Sequence, residues 1–207
     1  MKKINISDIT LKKLSEDRSL VLLFREKSAI ANCADAIGVD AIELPAVKAL
    51  REDTIIYKTI AQNVRNASLA VPVGFSIDEM TSAWECIKDA KKPRLQIELP
   101  VSTIQMEYTY HIKQNKMLEK ISELVKAAKE LCADVEFSAL DATRADEDFL
   151  ISAVKEAENR RLGIETNITN WQRRQNNNNN FSQDGIEEKC SDVISRNNYE
   201  NDECACG

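Results

Sequence analysis

The chain has one histidine, no surplus of basic residues and no long apolar run, and each shortage narrows what it can do. With 28 Lys and Arg against 34 Asp and Glu, the net charge is -6 and the pI about 5.1. There is no basic footprint for a nucleic-acid partner. No apolar stretch approaches the roughly 20 residues that span a bilayer, and Met1-Lys2-Lys3 leads into a strand instead of a signal-peptide apolar segment. No membrane partner is expected, and the cytoplasm is the expected compartment. Cys33, Cys86 and Cys132 sit singly in helix-like stretches, which suits reduced, buried thiols better than a disulfide framework. Without a secretory route, triplets such as Asn66-Ala67-Ser68 carry no glycosylation signal. The lone histidine, His111, lies in an aromatic loop and reads as a surface or packing residue.

What is present is a chain of 207 residues, 43% hydrophobic and 30% charged, enough for one domain with a real core. From residue 3 to about 160 short β-rich runs alternate with helix-period runs, the pattern of βα units on a parallel sheet. The strands expected are Ile4–Asp8, Ala41–Leu44, Leu69–Val73, Leu95–Val101 and Val135–Ser138. Between them run helices from Phe24 to Ile37, stopped by Gly38, from about Asp53 to Val64, from a capping box at Ser76-Ile77-Asp78-Glu79, and from about Lys116 to Leu131. A last helix opens around Thr143 to Asp146. At about 32 residues per unit, five units fit where a closed (β/α) barrel of roughly 250 residues has eight. The fold class is therefore α/β, a partial TIM-type barrel over residues 1–159. Residues 160–207, with the Asn176–Asn180 run, are expected to be a disordered tail without a further strand. Cys190, Cys204 and Cys206 match no trusted zinc spacing.

Alternation along a strand sends neighbouring side chains to opposite faces. Ile42 and Leu44 then pack toward the helices, while Asp8, Glu43, Gln96, Glu98, Glu136 and Ser138 face a shared interior. Carboxylates in a low-dielectric interior persist where a metal, a cation or a shared proton compensates them. Barrel enzymes place their sites at the C-terminal ends of the strands, where Asp8, Glu43 and Glu136 fall.

Three stretches carry a family resemblance. Val135-Glu136-Phe137-Ser138-Ala139-Leu140-Asp141-Ala142-Thr143-Arg144 is similar to a fifth-strand signature Glu-Phe-Ser-x-Glu-Asp-Ala-x-Arg. Gly38-Val39-Asp40-Ala41-Ile42-Glu43 resembles the second-strand motif, and Ser102-Thr103-Ile104-Gln105 resembles Ser-x-Ile-His after strand four. Residues 3 to about 158 thus resemble the first five units of the DRE-TIM metallolyases, which include isopropylmalate, homocitrate and citramalate synthases and hydroxymethylglutaryl-CoA lyase. That family opens with Asp-x-Thr-Leu-Arg-Asp-Gly. Here Asp8, Thr10 and Leu11 match, Lys12 stands at the Arg position, and Lys13 and Leu14 replace Asp and Gly. Leu140 replaces the Glu, and Gln105 the His. Lysine keeps the charge but not the planar fork.

The resemblance implies a metal-dependent acyltransferase or aldolase-type enzyme that condenses an acyl-CoA with a 2-oxo acid. It implies Asp8 as ligand to a divalent metal, Mg or Mn, with Lys12, Glu43 and Glu136 in catalytic positions. It implies Ser102, Gln105, Ser138, Thr143 and Arg144 around the substrates. The family completes its metal site with a His-x-His pair on strand seven, which this sequence lacks. The shift in character after Asn159 points to a truncated or misread frame. Two other readings stand beside this one: Lys12 as a Schiff-base lysine in a metal-free aldolase, and a non-catalytic half-barrel that forms a homo-oligomer or pairs with a complete barrel.

Overall fold

The computed structural model describes residues 5–17, 19–48, 50–158 and 165–168. Their strands are β1 (Ser7–Asp8), β2 (Ala41–Glu43), β3 (Ser68–Pro72), β4 (Pro93–Pro100), β5 (Val135–Leu140) and β6 (Glu165–Ile168). They form one parallel sheet in chain order, β1 through β6. Helices α1 (Thr10–Leu14), α2 (Phe24–Ile37), α3 (Leu50–Asn63), α4 (Ile77–Ile87), α5 (Gln114–Leu131) and α6 (Glu147–Glu158) alternate with the strands. The result is a curled half-barrel, as the βα periodicity requires.

The helix ends follow from local chemistry. At the C-terminus of α2, Gly38 takes the left-handed conformation at φ 90 and donates its N–H to the carbonyls of Ala34 and Asp35, a geometry that strains any residue with a Cβ. At the start of α4 the capping box forms as written in the sequence. The Ser76 hydroxyl accepts the Glu79 N–H at 3.2 Å, and Glu79 Oε2 accepts the N–H groups of Phe75 at 2.7 Å and Ser76 at 3.1 Å. A Cβ on Gly74 would collide with that carboxylate.

The helix-facing side of the sheet is apolar. Ile42, Leu44, Leu95, Ile97, Leu99, Val135, Phe137 and Ala139 are fully buried and join one core with Ile60, Met80, Ile87, Met117, Ile121 and Leu124 from the helices. Each Val, Leu, Ile, Phe or Met side chain among them stabilises the fold by about 1.5–3 kcal/mol on burial. Packing fixes the strand faces, so the polar side chains between these positions point into the barrel.

Two expectations need correction. A sixth strand, Glu165–Ile168, follows α6 and pairs with β5, where the low-complexity character of the segment had hidden it. Four residues are too short for periodicity to reveal; a parallel neighbour supplies their ladder. The rest of the expected tail, from 169 to 207, lies outside the described residues, and Cys190, Cys204 and Cys206 with it. Cys33 is exposed, whereas Cys86 and Cys132 are buried as expected. Helical spacing marks a helix, but one cysteine does not reveal which face it occupies.

Candidate functional site

The inward faces of β2 and β4 are joined by the Lys12 cation. Lys12 sits in the short α1 immediately after β1, and α1 is anchored by buried Leu11. Its ammonium donates to Glu43 Oε2 at 2.7 Å, Gln96 Oε1 at 2.9 Å and Glu98 Oε1 at 2.5 Å. An ammonium has three N–H donors, so these three acceptors use its full capacity. Gln96 and Glu98 share a face of β4 because they are two apart, and Glu43 reaches the same point from the end of β2.

The network continues across the sheet. Glu43 Oε1 accepts the Ser7 hydroxyl at 3.0 Å. Gln96 lies opposite Glu136 in the β4–β5 register, and its amide N–H donates to Glu136 Oε1 at 2.9 Å. Arg94 then ties Glu136 Oε2 at 3.3 Å to Asp134 Oδ2 at 3.0 Å. Gln96 thereby relays between the Lys12 and Arg94 ends. Ser138, opposite Glu98, is fully buried, and its hydroxyl has no hydrogen-bond partner among the described residues.

Electrostatics favour the charged forms of Lys12 and Glu43. Burial pushes the Lys12 ammonium down, but the charge of Glu98 and the hydrogen bonds it donates to Glu43 and Glu98 outweigh it and raise its pKa above the ordinary value. Burial pushes the Glu43 carboxyl up, and the Lys12 hydrogen bond and charge, with Ser7, bring it below the ordinary value. A lysine held protonated in this way is the opposite of the neutral amine that imine formation requires.

A second cluster sits where the chain leaves β4 and β5. Asp141 takes a left-handed conformation at φ 58, which turns its buried carboxylate toward the preceding loop. Asp141 Oδ2 accepts the buried Ser102 hydroxyl at 2.5 Å, and Arg144 donates Nε to Oδ1 at 2.7 Å and Nη2 to Oδ2 at 2.6 Å. The Ser102 hydroxyl also accepts the Gln105 backbone N–H at 3.2 Å, closing the start of a π-helical turn over Gln105–Thr109. Arg144 remains exposed, and its pairing with Asp141 raises its pKa.

Of the residues singled out in the sequence, Lys12, Glu43 and Glu136 belong to the first cluster, with Ser138 beside it, and Ser102, Gln105 and Arg144 meet at the second. Thr143 is half-buried in the 3-10 turn Ala142–Arg144. Asp8 stays apart: its carboxylate accepts the N–H and hydroxyl of its own neighbour Thr10 at 3.2 and 3.0 Å. His111 is exposed, its Nδ1 2.9 Å from the Glu107 carbonyl oxygen. Sequence reading gave Gln96 and Glu98 an inward position but no role, and it passed over Asp141 and Arg94. For Asp141 a signal existed, since it stands at the Asp of the matched fifth-strand motif.

The divalent metal that the resemblance implies needs about six oxygen or nitrogen donors. Asp8 offers oxygens already engaged by Thr10, Glu43 is engaged by Lys12 and Ser7, and no group of three or more His, Cys, Asp or Glu side chains converges among the described residues. These residues do not fit a metal shell.

Comparison with known proteins gives the lineage of this arrangement. A family model described as HMGL-like matches residues 3–170. The chain belongs to the HMGL-like family. Among its curated relatives, the 2-isopropylmalate synthase of Bacillus velezensis is 34% identical over 156 residues, 75% of this chain and 30% of the relative. That of Clostridium kluyveri is 35% identical over 154 residues, 74% of this chain and 30% of the relative. That of Carboxydothermus hydrogenoformans is 34% identical over 157 residues, 76% and 31% of the two lengths. This HMGL-like chain thus spans about 30% of the length of these relatives. No helix among its described residues is long and apolar enough to cross a membrane.

Proposed function

We propose that this chain provides the N-terminal half-barrel of an acyltransferase of the 2-isopropylmalate synthase type, which joins the acyl group of an acyl-CoA to a 2-oxo acid. The observation that supports it best is the inward polar face, on which Lys12, at the family's arginine position, collects Glu43, Gln96 and Glu98 at the end of the sheet where barrel sites lie. In this reading Ser102, Gln105, Thr143 and Arg144 flank the 2-oxo acid and Ser138 offers its unpaired hydroxyl to it. Arg144, exposed and only partly engaged by Asp141, is the cation within reach of an anionic substrate. Glu43 and Glu136 are the candidate proton acceptors for the acyl methyl group. Further residues of the site come from outside the described half-barrel or from a second chain, and a divalent metal enters the reading only with donors they supply.

The test is calorimetric titration of the full chain with a series of 2-oxo acids, followed by an assay of thiol release from acetyl-CoA. Binding that is lost in Arg144→Ala supports the proposal; absence of binding across the series removes it. A second reading rests on the end strand β1, flanked by Ile6 and Ile9, which are 60% and 43% exposed. Such an edge invites pairing with another copy or with a complete barrel. Light scattering coupled to size-exclusion chromatography separates the two: a monomer over a wide concentration range removes the self-pairing form.

A further inference from the structure

We infer that the Lys12 ammonium is the resident cation of the interior acidic cluster and that it closes this face of the half-barrel to a divalent metal ion. Compensation of buried carboxylates needs positive charge within a few ångströms. Glu43 and Glu98 receive it from Lys12 at 2.7 and 2.5 Å, and Glu136 receives it from Arg94 at 3.3 Å.

The fit is specific to an ammonium. Glu43 approaches from β2, Gln96 and Glu98 from successive inward positions of β4, and the three oxygens converge on one nitrogen. A compact tetrahedral head with three donors matches three converging acceptors, whereas the planar fork of a guanidinium matches two acceptors side by side. The exchange of the family's Arg for Lys at this position and the convergence of these acceptors therefore belong together. A divalent ion entering the cluster would have to displace the ammonium from two carboxylates and then remain next to a like charge. The other oxygen of Glu43 is held by Ser7, both oxygens of Glu136 by Arg94 and Gln96, and Asp8 is turned to Thr10. This inference concerns the cation alone and stands whether or not the chain condenses an acyl group.

The experiment reads Mn²⁺ binding to the full chain by the loss of the free-ion paramagnetic signal, for the native chain, Lys12→Met, Lys12→Arg and the double variant Lys12→Met/Glu98→Gln. The differences between variants cancel any ion held elsewhere on the chain. Removal of the ammonium is expected to tighten Mn²⁺ binding at least about tenfold, as for a like charge removed from a partly buried site. Adding Glu98→Gln is expected to reverse the gain. Equal binding by the native chain and Lys12→Met overturns the inference. Because Lys12→Met can fail to fold, a second measurement uses the native chain: acetylation of each lysine by a water-soluble ester, mapped by mass spectrometry. Lys12 is expected among the slowest lysines with and without millimolar Mn²⁺. Labelling of Lys12 that rises on adding Mn²⁺ means that the metal displaces it, and overturns the inference equally.

Discussion

Lys12 and Arg144 are both cations paired with carboxylates at the same end of the sheet, yet they are held in opposite ways. Lys12 is 16% exposed and has three acceptors for three donors; Arg144 is 38% exposed and is bonded through one carboxylate only. The first arrangement is closed, with every donor of the ammonium taken up by acceptors from β2 and β4. The second is open, anchored by a strained Asp141 but with guanidinium face to spare. The difference teaches that a charged residue in a barrel mouth is not by itself a substrate anchor: donor capacity left after internal pairing decides it.

The largest effect that would sharpen this contrast is loss of the closed cation. Lys12→Met leaves the buried Glu43 and the half-buried Glu98 without compensation and is expected to lower stability by about 3 kcal/mol in urea unfolding, whereas Arg144→Ala at the surface is expected to change it little. Equal effects would erase the distinction between the clusters. Next comes Asp141→Ala, which removes the acceptor for Ser102 and places a Cβ residue with no local hydrogen bond at positive φ. About 2 kcal/mol is expected, with Asp141→Asn recovering part of it because asparagine tolerates the left-handed region.

A pH titration of stability separates the clusters further. The Glu43 pKa is lowered in the folded state, so its contribution is complete above about 4.5 and is lost as pH falls through the folded value. The Lys12 pKa is raised, so its contribution is complete below about 10.5 and is lost as pH rises through the folded value. In Lys12→Met the Glu43 carboxylate keeps the Ser7 hydrogen bond but loses the ammonium that offsets its burial, so the stability gap to the native chain is expected to narrow on acidification. A constant gap contradicts the assignment. The smallest effect belongs to Ser138. Removing a buried hydroxyl without a partner in Ser138→Ala is expected to leave stability unchanged or raise it by up to about 1 kcal/mol. A clear loss would reveal a partner for it.

Much of the fold was legible because packing writes it into the sequence. The apolar alternation at Ile42, Leu44, Leu95 and Ile97 marks strands, and it correctly turned Glu43, Gln96, Glu98, Glu136 and Ser138 to one face. The cap at Ser76 and Glu79 and the stop at Gly38 are local chemistry, and both formed as read. What the sequence concealed depends on contacts distant in the chain. Lys12 and Glu98 are separated by 86 positions, and nothing local tells that a lysine beside Asp8 is saturated by strand four. The same holds for Asp141, whose positive φ and bond to Ser102 arise only when β4 and β5 are in register. Short elements such as α1 and β6 carry too few residues for a periodic signal.

The central claim is that Lys12 and Glu98 act as one unit inside the half-barrel, and a double-mutant cycle tests it most directly. Stabilities of the native chain, Lys12→Met, Glu98→Gln and the double variant give their coupling energy. A coupling of about 1.5 kcal/mol or more is expected for this partly buried pair. Additive effects within about 0.3 kcal/mol would contradict it, and the interior carboxylates would then need another source of positive charge.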